Sequence, residues 1–132
     1  GVRTSNKEDM LLVQETRKLM KNKPVIVVVD CKNPFVMSEI EPYADAILLT
    51  FSVQNQAILE IINGTYEPSA LLPFQMPLNM KTVELQAEDT PFDMECYKDS
   101  EGNTYDFAFG MNWNGKIDDE RVKKYAKHED KN

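Results

Sequence analysis

The chain has 132 residues, a formal net charge of −7, 42% hydrophobic and 28% charged residues. That length suits one modest domain, and the acidic balance speaks against general nucleic-acid binding, which needs clustered Lys and Arg. The longest apolar runs, Pro24 to Val29 and Ala46 to Leu49, are strand-sized and far short of the roughly 20 residues of a membrane span. Two cysteines, Cys31 and Cys96, and the lone His128 stand apart in sequence, so neither a zinc site nor a thiol-His pair is expected. Two free, half-buried thiols are the favoured reading, with a disulfide between them or a reactive site as the alternative.

Ser5 to Lys23 reads as a helix. Ser5 and Glu8 have capping-box spacing, and Leu12, Val13, Thr16, Leu19 and Met20 fall on one face. Glu8 and Asp9 are first-turn charges that favour the helix dipole, and Pro24 is the expected stop. Val25 to Val29 is short, β-branched and uninterrupted, which predicts a parallel strand covered on both faces. Asn33-Pro34 then predicts an N-cap and a short helix to about Ile40, ended by Pro42.

Ala46 to Phe51 is a second predicted strand, with Ser52 able to cap the next helix. Ala57, Ile58, Ile61 and Ile62 supply that helix with its stripe, and Gly64 is a natural residue to end it. The sequon Asn63-Gly64-Thr65 is read more simply as that helix end. Leu71 to Met76 is a third predicted strand, whereas Met80 to Gln86 fits a strand or one helical turn. Thr90 to Met94 reads as loop. Tyr97 to Phe109 suggests a hairpin turning at Asp99 to Asn103, with Tyr105, Phe107 and Phe109 on one face. The region from Asp118 is charged, with a short helix to about Ala126. The predicted organisation is a partial α/β domain over residues 1–115 and a charged tail over 116–132. Its class is α/β: a three-layer α/β/α sandwich with a small, mostly parallel sheet and a β-hairpin extension. Three strands are fewer than a doubly wound sheet commonly has, so further strands or a second copy are expected.

Several ordered motifs agree with one family. Lys23-Pro24-Val25-Ile26-Val27-Val28-Val29 matches a "kPvVVVl" strand, and Ala46-Ile47-Leu48-Leu49 an "aiL" strand. Gln56 to Ile62 matches a helix rich in Ala and Ile, and Gly64 to Pro73 a "G-x-x-x-P-S-G-x-L-P" turn. Tyr105 to Trp113 is similar to a "Y-x-F-G-x-G-L" element. From Leu11 to Trp113 the chain thus resembles the second, carboxy-terminal α/β domain of family-three glycoside hydrolases, the β-glucosidase and β-xylosidase group. Three of its departures from the pattern stand out. The Pro-Gly pair before the third helix is missing around Phe51-Ser52-Val53, Ala70 replaces the glycine of "P-S-G", and Asp30-Cys31-Lys32-Asn33-Pro34 replaces a small Gly-x-Pro loop.

The resemblance implies retaining hydrolysis by a parent enzyme, with two groups about 5–5.5 Å apart. The family's nucleophilic Asp belongs to an amino-terminal barrel, and its acid/base Glu in many members to a loop upstream of the first helix. The chain by itself is therefore expected to be inactive, with the barrel and a carbohydrate substrate as its partners. No cofactor, metal, nucleic acid or membrane is implied, and the parent would act in the periplasm or be secreted. Four residues are candidates for sugar contact. Asp30 ends a buried strand, where open α/β sheets bind ligands, although capping the next loop is the commoner use of such an Asp. A phospho-acceptor role for Asp30 lacks the acidic pair and lysine it would need. Gln54 and Asn55, with Gln56, open a helix with amides that both donate and accept, and their alternative is a solvated first turn. Trp113, with its neighbouring aromatics, offers a stacking face or simple hairpin packing. The rival reading is a non-catalytic flavodoxin-like interaction or carbohydrate-binding module, with a homodimer through exposed sheet edges.

Overall fold

The computed structural model describes residues 7–52, 54–86 and 93–126. In chain order the elements are α1 (Lys7–Met20), β1 (Ile26–Asp30), two 3-10 turns (Met37–Glu39 and Glu41–Tyr43), β2 (Ala46–Thr50), α2 (Asn55–Ile62), α3 (Met80–Leu85), β3 (Met111–Asn112), β4 (Gly115–Lys116) and α4 (Glu120–Ala126). The α/β class holds, with β1 and β2 parallel and β3 and β4 forming a small antiparallel hairpin.

The helix expected over Ser5 to Lys23 is α1, which stops at Met20. The stop comes before Pro24 because Lys21 turns into the left-handed region at φ 52°, and the Lys23 N–H closes back on the Met20 carbonyl at 2.9 Å. Ser5 lies outside the described residues, as do Thr90 to Phe92 and His128. Arg17 then ties the end of α1 to the sheet. Its Nε donates to the Tyr43 carbonyl at 2.9 Å and its Nη2 to Asp45 Oδ2, which also accepts the Val25 N–H at 2.7 Å.

β1 and β2 pair in register from Ile26–Ala46 to Asp30–Thr50. The expectation that β1 is covered on both faces does not hold: Ile26 is 44% and Val28 41% exposed. Leu12 and Leu19 on α1 are exposed as well, Leu19 at 81%. Among the described residues, no other strand pairs with either edge of this two-stranded sheet. The Asn33-Pro34 segment gives no capped α-helix; the chain makes two tight 3-10 turns instead, with Pro42 inside the second.

The third strand expected over Leu71 to Met76 does not form: the chain bends at Pro73 and Phe74, and the segment joins no parallel sheet. Its backbone is claimed by the later chain: the Leu72 N–H donates to Phe109 O at 2.7 Å, the Ala108 N–H to Leu72 O at 2.9 Å, and the Met76 N–H to Tyr105 O at 2.9 Å. On its other side the Tyr97 N–H donates to Met76 O at 3.0 Å, and Pro77 bridges Cys96. Met76 and Pro77 are fully buried here, and Met94, Ala108 and Ile117 are buried as well. The expected turn at Asp99 to Asn103 forms, closed by an antiparallel bridge between Lys98 and Thr104. The alternation of Tyr105, Phe107 and Phe109 is broken by Ala108 at φ 65°. Tyr105 and Phe109 pack at 5.0 Å, while Phe107 meets Tyr125 of α4 edge-on at 4.9 Å.

Candidate functional site

The carboxyl ends of β1 and β2 bring Asp30, Thr50 and the start of α2 together. Asp30 Oδ1 accepts the Ser52 N–H at 2.8 Å and the Thr50 hydroxyl at 3.2 Å. Ser52 needs that bond, because it sits in the left-handed region at φ 58°, where a side chain is disfavoured. The carboxylate thus holds a tight turn between β2 and α2. That is the loop-capping role weighed for a strand-end Asp, and it leaves Oδ2 directed elsewhere on an exposed residue.

Ser52 was expected to cap α2, but Gln54 takes the N-cap position in extended backbone, without a side-chain hydrogen bond to the helix. Gln54 and Asn55 are both exposed, and neither amide has a hydrogen-bond partner among the described residues. Two amides and a carboxylate therefore stand at the strand ends beside the uncapped first turn of α2, all able to bond hydroxyl groups. Cys31 follows Asp30 and is buried; its N–H donates to the Thr50 carbonyl at 2.9 Å. Burial, then the adjacent Asp30 charge, pushes its thiol above the usual range. That disfavours the thiolate a nucleophile requires. Neither Cys31 nor Cys96 is joined in a disulfide among the described residues. Phe51, edge-on to Phe74 at 5.9 Å, adds an aromatic pair at this end that nothing in the sequence pattern signalled.

Trp113 is not part of this group. It lies at the tip of the β3–β4 hairpin, and its N–H donates to Glu67 Oε1 at 3.2 Å, beyond the far end of α2. Eight residues of helix, about 12 Å, separate the two ends. The candidate residues therefore divide into a strand-end trio and a hairpin tip.

A third cluster was invisible in the sequence. The Tyr97 hydroxyl donates to Glu41 Oε2 at 2.9 Å and the Tyr105 hydroxyl to Asp99 Oδ2 at 2.8 Å, with the two rings 5.5 Å apart. Burial opposes the charge on Asp99, but hydrogen bonds from Asn103, Tyr105 and Glu101 outweigh it and hold the carboxyl below its ordinary range. Burial, aided by the bond to Glu41, pushes Tyr97 up to about 12. Neutral phenols donating to carboxylates fasten the 97–105 turn to the 3-10 segment; they supply no free acid or base at neutral pH. Among the described residues, no group of three or more His, Cys, Asp or Glu could hold a metal ion.

The family model described as glycosyl hydrolase family 3 C-terminal domain matches residues 3–113. Among individual proteins, the chain is 37% identical over 78 residues to beta-glucosidase C of Emericella nidulans, covering 59% of this chain and 13% of that protein. It is 36% identical over 76 residues to the probable beta-glucosidase C of Aspergillus flavus, covering 58% and 12%. It is 25% identical over 91 residues to the periplasmic beta-glucosidase/beta-xylosidase of Dickeya chrysanthemi, covering 69% and 13%. No solved structure matches. The aligned part is thus a small fraction of each relative, and the family match over residues 3–113 shows that the chain belongs to the glycosyl hydrolase family 3 C-terminal domain family.

Proposed function

We propose that this chain is one wall of the active-site cleft of a larger glycosidase that cleaves terminal β-glucosides or β-xylosides with retention, and that alone it is inactive. The observation that carries this reading is the bare aliphatic face of α1 and β1, where Leu12, Leu19, Ile26 and Val28 are exposed in a chain whose relatives are several times longer. Such a face is the contact surface of a domain that has more to it. The catalytic carboxylates then come from the rest of the parent, its amino-terminal barrel and a loop ahead of α1. Within this wall, Asp30 Oδ2 and the amides of Gln54 and Asn55 present hydroxyl partners to a bound sugar, and Asp30 Oδ1 keeps the turn that sets them. A parent active outside the cytoplasm fits the periplasmic relative's name.

The test is kinetic. The purified chain is expected to show no turnover of an aryl β-glucoside, and hydrolysis above the uncatalysed rate would sink the claim that the catalytic groups lie elsewhere. In the parent, Asp30→Ala and a Gln54→Ala/Asn55→Ala pair are expected to raise KM with a smaller change in kcat, as lost ground-state contacts do. Unchanged KM in both would remove the sugar-binding role of the trio.

A further inference from the structure

Among the described residues the chain exposes apolar side chains of different chemistry. Some are aliphatic, such as Leu12 and Leu19 of α1 and Ile26 and Val28 of β1. Two are aromatic: Tyr66 is 63% and Trp113 60% exposed, and Glu67, next in the chain to Tyr66, accepts the Trp113 N–H. Tyr66 is the chain neighbour of Glu67, so both aromatic residues are anchored at one spot.

This spot is built firmly. Trp113 occupies the tip of a tight hairpin in which Asn112 Oδ1 accepts the Asn114 N–H at 2.9 Å and Gly115 adopts φ +114°. Below the tip, the Ile117 N–H donates to Gly110 O at 2.9 Å, and Ile117 is buried. Gly110 abuts the chain so closely that an added Cβ would meet the Ala70 carbonyl oxygen at 2.3 Å. On the Tyr66 side, the N–H groups of Thr65 and Tyr66 both close on the Glu60 carbonyl, at 2.9 and 3.0 Å. Exposed aromatic rings on fastened backbone lose little freedom on binding.

The surroundings decide what binds. The polar residues nearest the rings along the chain are Asn63, Thr65, Glu67, Asn112 and Asn114, all exposed or half-exposed, with Ile62 and Met111 as exposed apolar neighbours. A dry protein interface would have to bury the Glu67 carboxylate and these amides, and interface centres are poor in such charges. An anionic ligand would meet Glu67 and a chain of net charge −7. A pyranose sugar satisfies both halves, with its C–H face on the rings and its hydroxyls on the amides and carboxylate.

We infer that Trp113 and Tyr66, brought near each other by the Glu67 bond to the Trp113 N–H, form an accessory stacking site for a neutral oligosaccharide, separate from the strand-end trio. The choice of a β-linked gluco-oligosaccharide as its ligand rests on the glycosidase reading above. Trp113 is the single tryptophan of the chain, so its emission reports on this site alone.

The chain is titrated with cellotetraose, with glycerol as the polyol control. The expected result is a saturable change in tryptophan emission with a millimolar Kd, absent with glycerol and weakened about tenfold by Tyr66→Ala. Calorimetry on Trp113→Ala is expected to show the same loss; its backbone N–H to Glu67 remains, so circular dichroism should match the original chain. No saturable change, or one that survives Tyr66→Ala at full strength, overturns the site. A parent that hydrolyses an aryl β-glucoside while the chain ignores cellotetraose sinks this inference alone. Binding by the chain with an inactive parent sinks the glycosidase reading alone.

Discussion

Arg17 and Asp45, 28 residues apart, meet at 2.5 Å, and the Asp45 oxygen that receives the guanidinium also receives the backbone N–H of Val25. One carboxylate oxygen thus joins the end of α1, the entry to β1 and the entry to β2. Arg17 adds a bond to the Tyr43 carbonyl. Arg17→Met, which loses both partners, is therefore expected to lower the urea midpoint more than Asp45→Asn, which can still accept from Val25. The backbone bond from Val25, then Arg17, holds Asp45 below the ordinary carboxylate range. A depressed folded pKa stabilises at pH above the unfolded value of about 3.9 and loses that effect as pH falls through the folded value. The difference between wild type and Asp45→Asn should accordingly vanish in strong acid, and it should shrink with added salt because the pair is exposed.

At the alkaline end the sign reverses. Tyr97 has its folded pKa pushed up to about 12, chiefly by burial and then by its bond to Glu41. The stability its neutral form contributes is whole below about pH 10 and is lost as pH rises through about 12. Spectrophotometric titration should show Tyr97 and Tyr105, two of five tyrosines, ionising late. Tyr97→Phe should cost about 1 kcal/mol in chemical denaturation at pH 7, the usual worth of one such hydrogen bond.

Ala108 and Gly110 make opposite predictions two residues apart. Ala108 stands where the family pattern has the first glycine of "F-G-x-G" and adopts φ 65°. Left-handed backbone costs a non-glycine residue about 1–2 kcal/mol, whereas its buried methyl returns about 0.8 kcal/mol. Ala108→Gly should be neutral to stabilising by up to about 1 kcal/mol. Gly110→Ala forces a methyl onto the Ala70 carbonyl and should cost about 1–3 kcal/mol. Thermal melts of the two variants should move in different directions.

Cys31 should resist thiol reagents, since burial and the Asp30 charge both raise its pKa. Mass mapping after brief alkylation is expected to find Cys96 modified first, and Asp30→Asn should speed Cys31 labelling. Faster labelling at Cys31 than at Cys96 would contradict its packing.

What could be read from the sequence was local. α2 shows its apolar stripe and its Gly64 terminus at φ +76°, and the expected helix in the charged region is present as α4, up to Ala126, the last described residue. Met80 to Leu85 proved helical because Asn79 caps it by accepting the Thr82 N–H at 3.0 Å, a choice its six residues alone left open. Leu71 to Met76 looks like a sheet strand from composition, but which backbone it pairs with depends on residues 95–109, and no short window holds that information. The same is true of Arg17 with Asp45 and of Tyr97 with Glu41. At the candidate site, Asp30 was placed at the strand end by position, but its bond to Ser52 could not be foreseen. It arises where the family's missing Pro-Gly pair leaves a serine in a glycine conformation.

The bare side of β1 has a colloidal consequence for the chain on its own. Ile26 and Val28 lie within β1, which among the described residues pairs only with β2, and such an open edge is a template for sticking to copies of itself. Mutual repulsion at a net charge of −7 is what opposes that association. Solubility should therefore be greatest in dilute salt at neutral pH, and it should fall when salt screens the charge or acid removes it.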